Sequence, residues 1–244
     1  MIDLHCHILP GIDDGAVTVD EAAEMCRLAA ADGCEVLVAT PHQRHSSWWN
    51  TNRHELESLR RQVEAKTGPK PKLLLGAEIR IGSGLLEDLD RLPDSGILPL
   101  AGSRYLLLEL DRHGLGPDPE WLVHELCLAG WHPIFAHPEL ISDLASDFDL
   151  MQNLAAMGAL FQVTAMSVLG GFGSRIQDSV DQMIDRKLVH FVASDAHGLD
   201  WRPPGLGEAR DAIAERWDER LADRLTSDNP RTVIENRSVP GIPH

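Results

Sequence analysis

Seven short apolar runs, alternating with longer amphipathic stretches, set the terms for what this chain can fold into. The runs are Ile2–Leu4, Glu35–Ala39, Leu73–Ile81, Tyr105–Leu110, His132–Phe135, Leu160–Val163 and His190–Ala193. Between them lie stretches with helical spacing: Val19–Asp32, His54–Lys66, Glu120–Ala129, Asp149–Met157 and Ser179–Arg186. In the first of these, Ala22, Ala23, Cys26, Ala29 and Ala30 share a face, and Gly33 falls where a C-cap belongs. Thr18 followed three residues later by Glu21 predicts a capping box at its start. Strand, helix, strand repeated in this way predicts parallel strands with helical crossovers.

An open doubly wound sheet and a closed barrel both satisfy that pattern. The first turn, Leu9–Gly15, has neither the G-x-G-x-x-G fingerprint nor a P-loop lysine, which argues against a nucleotide-binding open sheet. A barrel gathers its site from the C-terminal ends of all its strands, and this sequence concentrates its polar residues there. No linker or repeat divides the chain, and Gly205–Leu225 reads as a charged helical stretch before a short last helix opened by Asn229-Pro230. The expectation is one α/β domain over residues 1–244, a seven-stranded (β/α)7 barrel.

The strand ends carry the functional signal. The first ends His5-Cys6-His7; alternate strand residues face one side, so both imidazoles point into the mouth while Cys6 packs outward. The second leads into His42. The third and fourth hold Glu78 and Glu109 in otherwise apolar runs. The fifth ends at His137 and the seventh at Asp195-Ala196-His197. Six of seven runs thus finish in His, Asp or Glu. Any one of these reads as a satisfied core polar group. Together they would crowd like charges into one concavity, which divalent cations relieve more simply than shifted pKa values do. All-nitrogen and oxygen donors, without thiolate, favour Mn, Fe or Zn. The loop holding Asp13 and Asp14 adds carboxylates beside His5 and His7, although for Asp13 a helix-capping role stands level with a ligand role. Of the remaining histidines, His45 is within reach of the mouth, whereas His54, His113, His124, His132, His190 and His244 read as surface or packing residues.

Composition closes off other chemistries. A net charge of −16 is wrong for phosphate-backbone binding, so nucleic acid is excluded as a partner. No apolar run approaches the roughly 20 residues that span a bilayer, and Met1 leads into Ile-Asp-Leu-His with no basic segment, so a cytoplasmic protein is expected. Cys6, Cys26, Cys34 and Cys127 form no C-x-x-C pair and read as free thiols. A cysteine-phosphatase loop needs an Arg six positions after its Cys; those positions hold Ile12, Asp32, Thr40 and Pro133, which rules that chemistry out.

Taken jointly, His5-x-His7, Asp14, His42, Glu78, Glu109, His137 and Asp195-x-His197 resemble the PHP (polymerase and histidinol phosphatase) superfamily. The opening MIDLHCHILPGIDDG, with ATPH at 39–42, GAEI at 76–79, SRYLLLEL at 103–110, SDAHGLDWRPP at 194–204 and DNPRTVI at 228–234, is similar to its stand-alone manganese-dependent protein-tyrosine phosphatases of bacterial capsule and exopolysaccharide loci. The resemblance covers nearly the whole chain and implies the PHP fold, a distorted seven-stranded TIM-like barrel. It implies three divalent ions, manganese first with iron or zinc as alternatives. One would be held by His5, His7, Glu78 and Asp195, a second by Glu78, Glu109 and His137, and a third by Asp14, His42 and His197. Asp195, His42 and Arg202 are carried over as catalytic residues, Arg202 also binding substrate.

The implied activity is hydrolysis of a phosphate monoester by a hydroxide bridged between metals, on a phosphotyrosine protein such as a tyrosine kinase of polysaccharide export. Two alternatives remain: a small phosphate ester, as in histidinol phosphatases, and amidohydrolase-type hydrolysis. The sequence departs from the family at one point, where His-x-Glu-Arg becomes His137-Pro138-Glu139-Leu140 and one of two phosphate-gripping arginines is lost. The glycines at 170, 171 and 173 suggest a loop shaping the entrance, and Trp48 and Trp49 read as core or lid packing.

Overall fold

The computed structural model describes residues 1–110 and 118–240. His113 and His244, read from sequence as surface or packing residues, lie outside the described residues. In chain order the first half holds β1 Ile2–Cys6, α1 Val19–Ala31, β2 Val36–Ala39, β3 His42–Gln43, α2 Arg53–Thr67, β4 Lys72–Leu75, β5 Glu78–Arg80, α3 Leu85–Asp90 and β6 Tyr105–Glu109. The second half holds α4 Pro119–Leu128, β7 His132–Ala136, α5 Phe148–Ala156, β8 Leu160–Thr164, α6 Ala165–Val168, α7 Ser174–Asp185 and β9 Phe191–Ala193. It closes with α8 Leu206–Arg216, α9 Glu219–Asp223 and α10 Asn229–Ile234.

Local signals explain where the helices begin and end. At α1, Thr18 Oγ1 accepts the Glu21 N–H at 3.1 Å and the Glu21 carboxylate turns back to the Val17 N–H at 2.8 Å. Its other end is a Schellman turn: Gly33 sits at φ 94°, its N–H on Ala30 O, and the Cys34 N–H reaches Ala29 O. By contrast α7 starts at Ser174, well before the expected Ser179, because its N-cap is Gly173 and carries no side-chain signal. The stretch 205–225 is not one helix. Trp217-Asp218 breaks it, and the Asp218 carboxylate caps α9 through the Leu221 N–H at 2.8 Å.

Every strand pairing is parallel, as expected, but the strands do not form one continuous ladder. They form a three-stranded sheet, β1-β2-β4, and a six-stranded sheet, β3-β5-β6-β7-β8-β9. The expected third strand, Leu73–Ile81, is therefore two strands in different sheets. The break falls at Gly76-Ala77, where a Cβ on Gly76 would meet Leu100 Cδ2 at 2.8 Å and Val38 Cγ1 at 3.1 Å. Thr40-Pro41 makes the same step between β2 and β3. Hydrogen bonds from Gly76 N to Ala39 O and from Glu78 N to Pro41 O carry the pairing across both steps.

On the opposite side, β1 meets β9 through one parallel bridge, Cys6 to Ala196, with the Asp195 N–H on His5 O and the His7 N–H on Ala196 O. The buried Asp3 carboxylate pins that seam by accepting the Ser194 N–H at 3.0 Å. Its carboxyl is pushed up by burial, against the hydrogen bonds from Ser194.

Two apolar clusters flank the sheets. Ile2, Leu4, Val38, Tyr105, Leu107, Ile134, Leu160 and Phe191 form an inner floor, and a larger cluster packs the other strand faces under the helices. Along β6 the inner face reads Tyr105, Leu107, Glu109, so the carboxylate stands above the apolar floor. β1 carries a register irregularity between Asp3 and Cys6. Below it Ile2 and Leu4 join the floor; above it His5 and His7 take the mouth and Cys6 joins the outer cluster. An irregularity of this kind re-aims side chains at a functional rim. All four cysteines are free, and three are fully buried. No helix among the described residues is long and apolar enough to cross a membrane.

Candidate metal centre

All nine residues expected as ligands come together: His5, His7, Glu109, His137, Asp195 and His197 at or just past strand ends, His42 and Glu78 at the first residues of β3 and β5, and Asp14 in the loop after β1. The β3–β5 register sets His42 directly beside Glu78, and the β5–β6 register sets Arg80 beside Glu109. Three site residues, His137, Asp195 and Arg202, have left-handed backbone with φ of 35°, 52° and 53°. Non-glycine residues adopt that conformation at a cost, and such positions concentrate at functional sites. His137 and Asp195 lie just past β7 and β9, Arg202 lies in the loop after β9, and all three line the mouth.

The centre is tight. His5 Nε2 lies 3.1 Å from His7 Nε2, 3.4 Å from Glu78 Oε2 and 3.2 Å from Asp195 Oδ1. His137 Nε2 is 2.7 Å from Glu78 Oε1. The half-exposed Asp14 sits 3.4 Å from both His42 Nε2 and His197 Nε2. Four groups of donors come close enough to share an ion: His7, Asp14, His42 and His197; His5, His137 and Asp195; His5, His7 and Glu78; and His42, Glu78 and Glu109. Arg202 pairs with Asp195 Oδ2, leaving Oδ1 toward the histidines.

A second layer fixes which nitrogen faces inward. Gln162 Oε1 accepts from His5 Nδ1 at 2.8 Å, Asp13 Oδ2 from His7 Nδ1 at 2.9 Å, and the Asp195 carbonyl from His197 Nδ1 at 2.8 Å. In each ring Nε2 is left for the centre, the arrangement by which proteins orient metal-binding imidazoles. Gln162 was missed from sequence; an amide inside the apolar run Leu160–Val163 was the signal. Asp13 caps no helix, since α1 is capped by Thr18. It also accepts the Gly15 and His42 N–H groups.

Electrostatics show how much positive charge the centre calls for. Burial works to raise the Glu78 carboxyl, but His5, His137 and His42 hold it well below the carboxylate range. Asp14 is likewise held low, burial being overcome by His197 and His42. Burial opposes protonation of His42 too, yet contact with Asp14, Glu109 and Glu78 pushes it up to about 12. His197 is driven down to about 4 by burial and by His7. Buried polar atoms nonetheless remain without hydrogen-bond partners: His42 Nδ1, His137 Nδ1, Glu109 Oε2 and Asp195 Oδ1. Unsatisfied nitrogen and oxygen lone pairs converging in one concavity are the donor set that divalent ions fit.

The centre forms the floor of a cavity of about 290 Å³ whose walls include Leu110, Leu140, Ile141, Phe172 and Arg202. Phe172 belongs to the glycine-rich loop expected to shape the entrance, and Arg202 Cζ stands 6.0 Å from its ring. Leu140 occupies the wall itself. Trp48 stacks on His42, whereas Trp49 is 58% exposed beside Arg44. His54 and His124 lie on exposed helix surface, away from the mouth.

Parallel strands that bring nine nitrogen and oxygen donors together define an α/β protein with a candidate metal site. The chain belongs to the CpsB/CapC family of capsular polysaccharide synthesis, whose family model matches residues 1–235. CapC of Staphylococcus aureus is 37% identical over 246 residues, covering 98% of this chain and 93% of the relative. Tyrosine-protein phosphatase YwqE of Bacillus subtilis is 31% identical over 98% of this chain and 93% of its own length. Tyrosine-protein phosphatase CpsB of Streptococcus pneumoniae is 28% identical over 98% and 100%.

Among solved structures, one reported for YwqE and CpsB as metal-dependent tyrosine phosphatases matches with a TM-score of 0.90 at 31% identity, covering 98% of this chain and 96% of that one. An organophosphorus hydrolase from Deinococcus radiodurans matches with a TM-score of 0.62 at 14% identity, over 96% and 92% of the two chains, a likeness of fold alone.

Proposed function

We propose that this chain is a metal-dependent phosphatase that removes phosphate from tyrosine in proteins. The observation that carries the reading is the convergence of His5, His7, Glu78, His137 and Asp195 with unpartnered buried donor atoms, next to the Arg202 guanidinium. Residues 1–244 act as one domain, and the two sheets, hydrogen-bonded at both seams, work as a distorted (β/α)7 barrel. The resemblance assigns one ion to His5, His7, Glu78 and Asp195, a second to Glu78, Glu109 and His137, and a third to Asp14, His42 and His197. The grouping of Asp14, His42 and His197 and that of His5, His7 and Glu78 support the third and most of the first, whereas His137 groups with His5 and Asp195 and Glu109 with His42 and Glu78. Manganese, iron or zinc suits these donors.

When bound, divalent ions supply Lewis acidity, acidifying water and neutralising charge on the phosphoryl oxygens. The chain's own residues do the rest. Arg202 offers two parallel N–H donors to those oxygens, and Asp195 holds its guanidinium toward the mouth. Gln162 and Asp13 keep His5 and His7 in the tautomer that presents Nε2. Phe172 and Ile141 give the cavity an apolar wall for a phenyl ring. A tyrosine leaving group, with a pKa of about 10, departs with little proton assistance.

Capsule synthesis is the family's setting, which favours a phosphotyrosine protein of that machinery, a polysaccharide-export tyrosine kinase, in the cytoplasm. A small phosphate ester is the second reading, and Leu140 in the cavity wall is its support. Amidohydrolase chemistry is the third; its sites commonly bring a carboxylated lysine, and Lys66, Lys70, Lys72 and Lys187 lie outside the mouth. The test is chelator-treated protein assayed with p-nitrophenyl phosphate, a phosphotyrosine peptide, small alkyl phosphates and lactones. Turnover absent without metal, restored by Mn²⁺ and fastest on the peptide is expected. Full activity after metal removal, or preference for a lactone, would overturn it.

A further inference from the structure

The segment between β3 and α2 returns to His42 twice. Trp48 stacks on the His42 ring with centroids 5.3 Å apart and planes within 9°. His45 stacks on the same indole at 4.7 Å. Reciprocal backbone hydrogen bonds between His45 and Trp48, at 3.1 and 3.2 Å, close that turn. Two residues on, Asn50 adopts a left-handed backbone with φ 44° and donates its amide to two carbonyls, His42 O at 3.0 Å and Ile12 O at 2.9 Å. The fully buried Gln43 anchors the turn through Asn50 O, Gly96 O and the Leu98 N–H.

These contacts act on one ring, that of His42. His42 contributes to two clusters, facing Asp14 through Nε2 and Glu78 and Glu109 through Nδ1. Its ring torsion, broad in an unrestrained histidine, decides whether both nitrogens face their clusters at once. Trp48 fixes that torsion. Asn50 ties the backbone of His42 to the loop that carries Asp14, fixing the spacing between the two side chains.

We propose that Trp48 and Asn50 are positioning residues that set the affinity of the ion sites His42 helps to form, with Asp14 and His197 and with Glu78 and Glu109, separately from the site formed by His5, His137 and Asp195. This rests on the metal reading of the centre. Orienting partners of this kind change metal affinity by about 10- to 100-fold.

The test is Mn²⁺ binding to the full chain, measured as bound metal against free metal, for the parent protein and for Trp48→Ala, Trp48→Phe and Asn50→Ala. The expected result is one class of site weakened by about 10- to 100-fold in Trp48→Ala and Asn50→Ala, with the tighter class unchanged and the parent isotherm recovered by the flat ring of Trp48→Phe. The two weakening substitutions act on different atoms of His42, so either folded variant alone decides the matter. Isotherms identical to the parent, or equal weakening of every site, would overturn the inference while leaving the functional reading intact. A parent protein that takes up no Mn²⁺, Fe²⁺ or Zn²⁺ would overturn both.

Discussion

The Nε2 atoms of His5 and His7 lie 3.1 Å apart, and the other nitrogen of each ring is already engaged, by Gln162 and by Asp13. Each ring, held at Nδ1, thus presents its Nε2 to the same point. Removing either outer partner frees the ring to flip and lets the opposite nitrogen compete. Asp13→Ala and Gln162→Ala are therefore expected to bind Mn²⁺ about 10- to 100-fold more weakly, without loss of fold by circular dichroism. Asp13→Asn, which still accepts a hydrogen bond, should lose less. Unaltered binding isotherms in both alanine variants would mean that the tautomers are set some other way.

Arg202 and Leu140 face the same cavity, one charged and one apolar. A charge-assisted hydrogen bond to phosphate contributes about 1.5–3 kcal/mol, so Arg202→Ala should lower kcat/KM for p-nitrophenyl phosphate by about 10- to 100-fold. Arg202→Lys, which keeps the charge but not the fork, should fall between. Leu140→Arg adds a second fork to the wall, and inorganic phosphate should then inhibit at lower concentration. Steady-state kinetics with phosphate as a competitive inhibitor check all three, and an Arg202→Ala enzyme with parent constants would remove Arg202 from substrate binding.

How much of this was readable beforehand depended on the kind of signal. His5, His7, Glu78, Glu109, His137 and Asp195 stood out because strand periodicity makes a polar residue at an apolar strand end conspicuous. The outward role of Cys6 followed from the same rule, and parallel pairing from the alternation of strands with helices. Gln162 obeys it as well, and the sixth run was set apart only because its polar residue is an amide rather than an acid or imidazole. The division of Leu73–Ile81 left no trace in composition, since the residues on both sides of Gly76 are apolar and only the approach of Leu100 forces the step. β3 has two residues, too few for any periodicity. The stacking of Trp48 on His42 depends on a turn closed by backbone hydrogen bonds, which side-chain pattern does not encode.

His190 offers a pH prediction away from the centre. Its Nδ1 accepts the Phe161 N–H at 3.1 Å, and burial drives its pKa from 6.5 down to about 4. The unfolded chain therefore takes up this proton before the folded one does. Its contribution to stability is whole above pH 6.5 and is lost as pH falls toward 4. Discounted for its partial exposure, the loss is on the order of 2 kcal/mol. In His190→Asn the carboxamide oxygen can still accept the Phe161 N–H but cannot ionise. Urea unfolding at pH 7 and pH 4.5 should show a smaller drop for the variant than for the parent. Equal drops would mean that His190 titrates normally in the folded protein.

Gly15 tests whether the Asp13–Asp14 loop must lie directly against β1. A Cβ at that position would sit 2.0 Å from His7 O and 2.6 Å from His7 Cβ. The carbonyl is already committed to the Ala16 N–H at 3.1 Å, so neither side can yield by rotating a side chain. Gly15→Ala must instead lift the loop, drawing Asp13 from His7 Nδ1 and Asp14 from His42 and His197. Overpacking of this sort costs about 1–3 kcal/mol. Metal affinity should fall further than in Asp13→Ala, because both aspartates move together. Gly82→Ala, where nothing lies within 4 Å of the added methyl, serves as the control and should match the parent in melting temperature and Mn²⁺ binding. If Gly15→Ala matched it too, the loop would have room to move and Asp13 would not be what holds His7 in place.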